Sequence, residues 1–187
     1  MSGANQPEAE APMLVVVTGV PGTGKSSVAE VVAGLSQASV LGHDWTMSAL
    51  RTYPGLQREL DDMEPPGHRT VGWAIMTALA REQLRNGRSV VLDGVARAPE
   101  VAMCREAARS ESGRMVVIAT RCSNRALHRS RIEGRQRAIP DWYELDWEHV
   151  EQTLAHWEPP DGADLCLDAS DPWTGNVSRV RELLRSP

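Results

Sequence analysis

Among the 187 residues, those best suited to chemistry form one run, Gly19-Val20-Pro21-Gly22-Thr23-Gly24-Lys25-Ser26, which fits the pattern G-x-x-x-x-G-K-[ST]. Glycines at these positions let backbone N–H groups converge on phosphate oxygens with no Cβ in the way. A helix opening at the end of the run, with Ser27 next in line, adds the positive end of its dipole. Lys25 supplies a compact, mobile charge for the β- and γ-phosphates, and Ser26 a hydroxyl ligand for Mg²⁺. The bland alternative is a glycine-rich turn with no ligand. Composition speaks for the ligand: Lys25 is the only Lys in the chain, against nineteen Arg, and Phe is absent. A chain that writes Arg for nearly every cation keeps Lys where a forked guanidinium has the wrong shape. A second cluster lies at 121–137, where Arg121, Arg125, Arg129, Arg131, Arg135 and Arg137 stand against one acid, Glu133, for a net charge of +5. Such a run is either a phosphate-binding surface or a solvated helix face. Arg131 and Arg135, four residues apart, share a face if one helix carries both, and can then meet the same anion.

These groups need a scaffold that brings them to one edge. Met13-Leu14-Val15-Val16-Val17-Thr18 is a short, β-branched apolar run stopped by Gly, as expected of a central parallel strand covered on both faces. Similar runs recur at 40–41, 89–93, 115–119 and 163–167. Helix-period segments separate them at 26–35, 71–84, 99–109, 124–134, 146–157 and 176–184. Strands alternating with helices imply right-handed βαβ units, hence an α/β fold with a five-stranded parallel sheet flanked by helices. Trp147, Val150, Leu154 and Trp157 share one face of the 146–157 segment, which is the pattern of a helix packed on the core. Residues 1–12 are small, polar and Pro-punctuated and form the expected disordered tail, followed by a single domain over 13–187. Two stretches break the alternation and are expected to be irregular and functional: 45–69, with Pro54, Pro65, Pro66 and Gly67, and 135–145.

With 41% hydrophobic and 24% charged residues, the composition excludes disorder, collagen and coiled coil. A net charge of −5 argues against general coating of nucleic acid, although a local basic patch is compatible with it. Cys104, Cys122 and Cys166 are odd in number and lack metal-type spacing, so buried thiols in a reduced, cytoplasmic setting are expected. No apolar stretch approaches the roughly 20 residues of a membrane span, and the N-terminus lacks a signal-peptide pattern. His128, His149 and His156 show no ligand spacing.

The chain resembles the P-loop kinases of small molecules and nucleotides, the group containing adenylate kinase, shikimate kinase, gluconate kinase, chloramphenicol phosphotransferase and polynucleotide kinase. The resemblance spans Met13 to about Arg185 and rests on four places. They are the Gly19–Ser26 run itself; Gly42-His43-Asp44 after the second apolar run; Val90-Val91-Leu92-Asp93-Gly94, which looks like a Walker B strand; and Arg131-Ile132-Glu133-Gly134-Arg135, similar to the R-x-x-G-R of adenylate kinases at the start of a mobile lid. The resemblance implies an adenylate-kinase-like P-loop NTPase fold in which 45–69 binds the acceptor and 124–145 forms an Arg-rich lid. Gly19 to Ser27 would bind ATP, with Arg131 stacked on the base. Arg135 and Arg137 would neutralise the transferred phosphoryl group, and Ser26 and Asp93 would share Mg²⁺. Asp44 would receive the acceptor hydroxyl's proton; its place at a strand end suits that role, and capping a helix that begins near Trp45 is the alternative. Arg97 would contact phosphate or acceptor, or lie on the surface. Residues 139–144 would close the lid over the reaction, and 168–172 would wrap the adenine. Asp61, Asp62 and Glu64 form either a feature that favours a cationic or polyhydroxylated acceptor or a solvated loop. The acceptor-site Arg signature of adenylate kinases is missing, and the acceptor region matches neither gluconate nor shikimate kinase.

Three functions fit these residues. The first is an ATP- and Mg²⁺-dependent phosphotransferase acting on a hydroxyl of a small molecule, working as a monomer or homodimer away from membranes. The second is a polynucleotide 5′-hydroxyl kinase or repair-associated ATPase that grips a backbone with the Arg cluster; net acidity and the lack of interleaved aromatics count against it. The third is a non-catalytic nucleotide-binding module, which leaves Asp44 and the lid arginines without work. Lys25→Arg preserves the charge but not the compact ammonium, so abolished phosphate transfer, measured as ADP release from ATP, is the expected outcome.

Overall fold

The structure is a computed structural model in which residues 11–63 and 67–186 are described. Their elements run in the order β1 (Met13–Gly19), α1 (Lys25–Ser36), β2 (Ser39–Gly42), α2 (His43–Arg51), α3 (Pro54–Asp62), α4 (Gly67–Arg85), β3 (Val90–Asp93), α5 (Ala98–Ser110), β4 (Arg114–Arg121), α6 (Arg125–Glu133), α7 (Trp147–His156), β5 (Leu165–Asp168) and α8 (Trp173–Arg185). The five strands form one parallel sheet in the order β2-β3-β1-β4-β5. The expected α/β architecture is present.

Strand β1 occupies the centre because it has no polar face to offer: Leu14, Val15, Val16 and Val17 are all 0% exposed. Alternate residues serve different layers, as the two-residue period of a strand requires. Leu14 and Val16 pack with Trp73, Met76 and Leu84 of α4 and with Val101 and Cys104 of α5. Val15 and Val17 pack with Val28, Ala29 and Val32 of α1 and Val180 of α8. Parallel pairing sends every strand's carboxyl end to the same edge, so Gly19, Gly42, Asp93, Arg121 and Asp168 share it. Val17, Asp93 and Gly42 stand on one rung.

Several expectations need correction. The stretch 45–69 is mostly helical, built from α2, α3 and the start of α4, because Pro54 sits in the first turn of α3, where its missing N–H breaks no hydrogen bond. Pro65 and Pro66 lie outside the described residues, as does the part of the expected tail at 1–10. Pro12 is paired, its carbonyl accepting from the Arg114 amide at 2.9 Å. Leu154 is 41% exposed, so α7 packs on its Trp147 and Val150 side and on the following Trp157, whose indole N–H donates to the Ala96 carbonyl at 3.1 Å. Of the three thiols, only Cys104 is buried, and burial pushes it up to about 11; Cys122 is half-buried and Cys166 exposed. All three are free. No described helix is long and apolar enough to cross a membrane.

Trp73 is fully buried, yet its Nε1 has no hydrogen-bond partner. Trp73→Ala is expected to cost about 3–5 kcal/mol, read from urea denaturation midpoints. Trp73→Phe is expected to cost less than half as much, because it deletes an unsatisfied donor along with part of the ring.

Candidate functional site

The P-loop, residues 19–26, joins β1 to α1 at the centre of the sheet edge. Gly24 is the N-cap of α1 with φ 83°, a left-handed conformation, and nothing lies within 4 Å of where a Cβ would stand. That open space faces the first amides of α1, which no side chain caps. Gly22, at φ 84°, has the opposite reason to be Gly: a Cβ there would come within 2.8 Å of Ile132 and 2.9 Å of His128. The loop's carbonyls are tied off from behind. Thr23 Oγ1 donates to the Val20 carbonyl at 2.7 Å and Lys25 Nζ to the same oxygen at 3.1 Å. His128 Nε2 meets the Pro21 carbonyl at 2.7 Å; a carbonyl only accepts, so Nε2 carries the proton. The His128 ring is 2% exposed and packs edge-on against Trp147, with centroids 5.2 Å apart.

A cavity of about 810 Å³ opens on one flank of the loop, lined by Gly22, Gly24 and Ser27 and by Arg131, Trp173 and Asn176. Arg131 reaches it from the last turn of α6 and donates to the Ala169 carbonyl at 3.1 Å. The loop after β5 forms the far wall through Ala169 and Asp171, where sequence similarity located an adenine loop. Asp168 anchors that loop. Burial raises its pKa, but hydrogen bonds from the Ser170 and Ser123 amides and hydroxyls prevail and hold the carboxyl down at about 2. Asn176 Nδ2 donates to the Asp168 carbonyl at 2.8 Å.

On the other flank lies a cavity of about 760 Å³ that holds Lys25, Ser26, Asp44, Asp93, Arg135 and Arg137 together. Burial pulls the Lys25 ammonium below its ordinary pKa, and Asp93 and Asp44 oppose the shift. Asp93 Oδ1 is buried without a hydrogen-bond partner. A lone carboxylate oxygen beside the Ser26 hydroxyl fits Mg²⁺, which binds through one or two protein oxygens and completes its shell with water and phosphate. No group of three His, Cys, Asp or Glu able to hold a metal occurs among the described residues, in keeping with that incomplete set.

Asp44 occupies the second position of α2, whose N-cap is Gly42 without side-chain capping, so Asp44 is not the helix cap. One oxygen pairs with Arg137 and the other lies 3.8 Å from His43 Nδ1. Desolvation works to raise the Asp44 pKa, but the neighbouring His43 and the Arg137 and Lys25 charges bring it below its ordinary value. Arg137 is itself enclosed, 8% exposed, with Glu144 and the Tyr143 carbonyl as further partners. Those contacts dock the 134–146 segment on α2, aided by Ser48, which donates to the Pro140 carbonyl, and by the Arg51 guanidinium, 5.1 Å from the Trp142 ring centroid and 5.3 Å from that of Tyr143. Ala138, next to Arg137, holds φ 51°, a left-handed conformation of order 1 kcal/mol above its relaxed state.

The Arg cluster divides in two. Arg121 pairs with the buried Asp168 at 3.1 Å, and at the surface Arg129 pairs with Glu133 at 2.6 Å and Arg125 with Glu151. Arg131, Arg135 and Arg137 line cavities. Arg131 and Arg135 do not share a face: α6 ends at Glu133, so the chain turns at Gly134 and sends them to different flanks of the P-loop. The Arg135 amide donates to the Ile132 carbonyl at 3.1 Å, but its guanidinium has no hydrogen bond or ion pair among the described residues. Arg97 is the N-cap residue of α5, its amide donating to Glu100 at 2.8 Å, and lines neither cavity. Asp61 pairs with Arg51 at 3.6 Å and is likewise outside both. Sequence reasoning missed His128 and Thr120, whose partners are distant in the chain, and Trp173 and Asn176, which reach the cavity from α8.

Comparison with known proteins agrees with this geometry. A family model described as an AAA domain matches residues 14–160, and the chain belongs to that family. No curated protein matches the sequence. Similar solved structures include the APS kinase of Mycobacterium tuberculosis in complex with AMPPNP and APS, at 20% identity over 94% of this chain and 98% of that one, TM-score 0.62. A gluconokinase from Sinorhizobium meliloti 1021 matches at 22% identity over 94% and 93%, TM-score 0.62. Chaetomium thermophilum Kti12 in complex with ADP-AlF3 matches at 17% identity over 92% and 97%, TM-score 0.68. The fold is that of the P-loop kinases.

The His128–Pro21 bond can be tested directly. His128→Leu is expected to destabilise the protein by about 1–3 kcal/mol and to weaken binding of an ATP analogue, both read by thermal shift, whereas His128→Gln, which retains a donor, recovers part of each loss.

Proposed function

We propose that this protein is an ATP- and Mg²⁺-dependent phosphotransferase that moves the γ-phosphoryl group of ATP to a hydroxyl of a small-molecule acceptor. The observation that carries this reading is a pair of cavities on two flanks of one P-loop, the second of them holding a carboxylate, the loop lysine and an unpaired arginine. The family and the kinase-like fold support phosphate chemistry, and the AMPPNP and ADP-AlF3 complexes among the similar structures support nucleotide binding. In this scheme the base and ribose occupy the Arg131 cavity and the phosphates follow the P-loop. Lys25 exchanges the Val20 carbonyl for phosphate oxygens. Asp44 orients the acceptor hydroxyl and takes its proton as the acceptor oxygen bonds to the γ-phosphorus. The bond from that phosphorus to the bridging oxygen breaks, ADP leaves with the electron pair, and Arg135 balances the charge on the group in transit. Ser26 and Asp93 would hold Mg²⁺, which would supply charge neutralisation to the phosphates when bound. Residues 124–145 form the Arg-rich lid and residues 45–69 the acceptor-binding segment of one domain over 13–187. Free thiols suit a cytoplasmic setting.

The polynucleotide alternative loses support because Arg121, Arg125 and Arg129 are engaged with carboxylates. Asp44→Asn is expected to lower kcat for acceptor-dependent ADP release by about 10²–10⁴-fold while leaving ATP binding intact; full activity would remove the base assignment. Because folding depresses the Asp44 pKa, its carboxylate stays ionised through the weakly acidic range. The acid limb of kcat/KM is therefore expected below the ordinary Asp range, and the ion pair's stabilisation is lost only as pH falls through that lowered value. ATP binding without ADP release on any acceptor would identify a nucleotide-binding module instead.

A further inference from the structure

The cavity beside Lys25 has room for more than a phosphoryl group, and its walls specify the remainder. Its charged side chains are balanced, with Lys25, Arg135 and Arg137 against Glu30, Asp44 and Asp93. The cations are already committed. Arg137 is enclosed by Asp44, Glu144 and the Tyr143 carbonyl. Among the described residues that line the cavity, Lys25 and Arg135 are the Lys and Arg without a carboxylate partner, and the transferred phosphoryl group takes both.

Beside Ser26, His43 and Thr46, much of the remaining wall is apolar. Val40, Leu41 and Trp45 line one side, and Ile139 and Leu145 of the docked segment line another. Trp45 follows Asp44 in the chain and leaves its indole 57% exposed; Val40 is 39% exposed. A neutral ring lying on these groups removes apolar surface from water, whereas an unpaired carboxylate or phosphate there would lose its hydration with no compensating partner. The inner carboxylates offer a cationic acceptor little more: Asp44 pairs with Arg137 and Asp93 faces Lys25, while Glu30 is exposed to water and lines the cavity on the other flank as well.

Building on the phosphotransferase reading, we propose that the acceptor is an uncharged alcohol with an apolar, ring-sized face, seated on Trp45 and presenting its hydroxyl to Asp44. Anionic acceptors such as nucleoside monophosphates and sugar acids are disfavoured, because Lys25 and Arg135, the lining cations among the described residues without a carboxylate partner, are taken up by the transferred phosphoryl group in this reading.

The test uses matched acceptors that differ in charge: phenyl glucoside, phenyl glucuronide and phenyl glucosaminide, and a nucleoside with its 5′-monophosphate. An ATP-dependent rise in melting temperature of the full chain first isolates nucleotide binding; its absence overturns the parent reading and this one with it. Given ATP binding, the neutral members are expected to support ADP release at least about tenfold faster than their charged partners. Equal or faster turnover of a charged member, or no turnover of any neutral one, overturns the proposal and leaves nucleotide binding standing. Trp45→Arg, which adds the missing cation, is expected to shift the ratio towards the glucuronide and the monophosphate; an unchanged ratio in an active variant also counts against it.

Discussion

A row of backbone N–H groups holds an anion only if the carbonyls between them are turned away and kept there. In this protein the carbonyls of Val20 and Pro21 each have a donor, supplied by Thr23 and Lys25 in the first case and by His128 in the second. The His128 bond reaches across 107 positions of sequence and ties the P-loop to α6. It thereby fixes more than the loop. Ile132 packs under Gly22, Arg131 is directed to one flank, and the turn at Gly134 carries Arg135 to the other.

The sheet supplies the second half of this arrangement. Thr18 bonds through its hydroxyl to both the carbonyl and the amide of Ala96, and Thr120 bonds to the Thr18 carbonyl and to Thr23. These buried hydroxyls lock three strand ends and the P-loop into one unit, since breaking any of them leaves a polar group without water or partner. Asp93 and Gly42 share a rung, so the carboxylate beside Ser26 and the one carried by the start of α2 face one cavity without any long loop to hold them.

Much of this was legible in the sequence because it depends on local pattern. Apolar run against helical period gave the strands and most helices, and the P-loop spacing is confined to eight neighbouring residues. Pro54 misled in the stretch 45–69, since the same residue that interrupts a helix also begins one. The Arg cluster was visible as charge, but its division into surface pairs and cavity residues depends on where Glu151, Asp168 and Glu144 arrive in space. The pairing of Asp44 with Arg137, 93 positions apart, and the His128 bond have no local signal at all.

The docking of the 134–146 segment has a consequence for its surroundings. Its contacts with α2 are a guanidinium over two aromatic faces, a hydroxyl on a carbonyl, and an arginine withdrawn from solvent among its acidic partners. Dissolved salt screens exposed charges over about 8–10 Å but has little purchase on stacked or enclosed ones. The surface pairs of Arg125 and Arg129 weaken as ionic strength rises, while the segment over the cavity beside Lys25 stays in place.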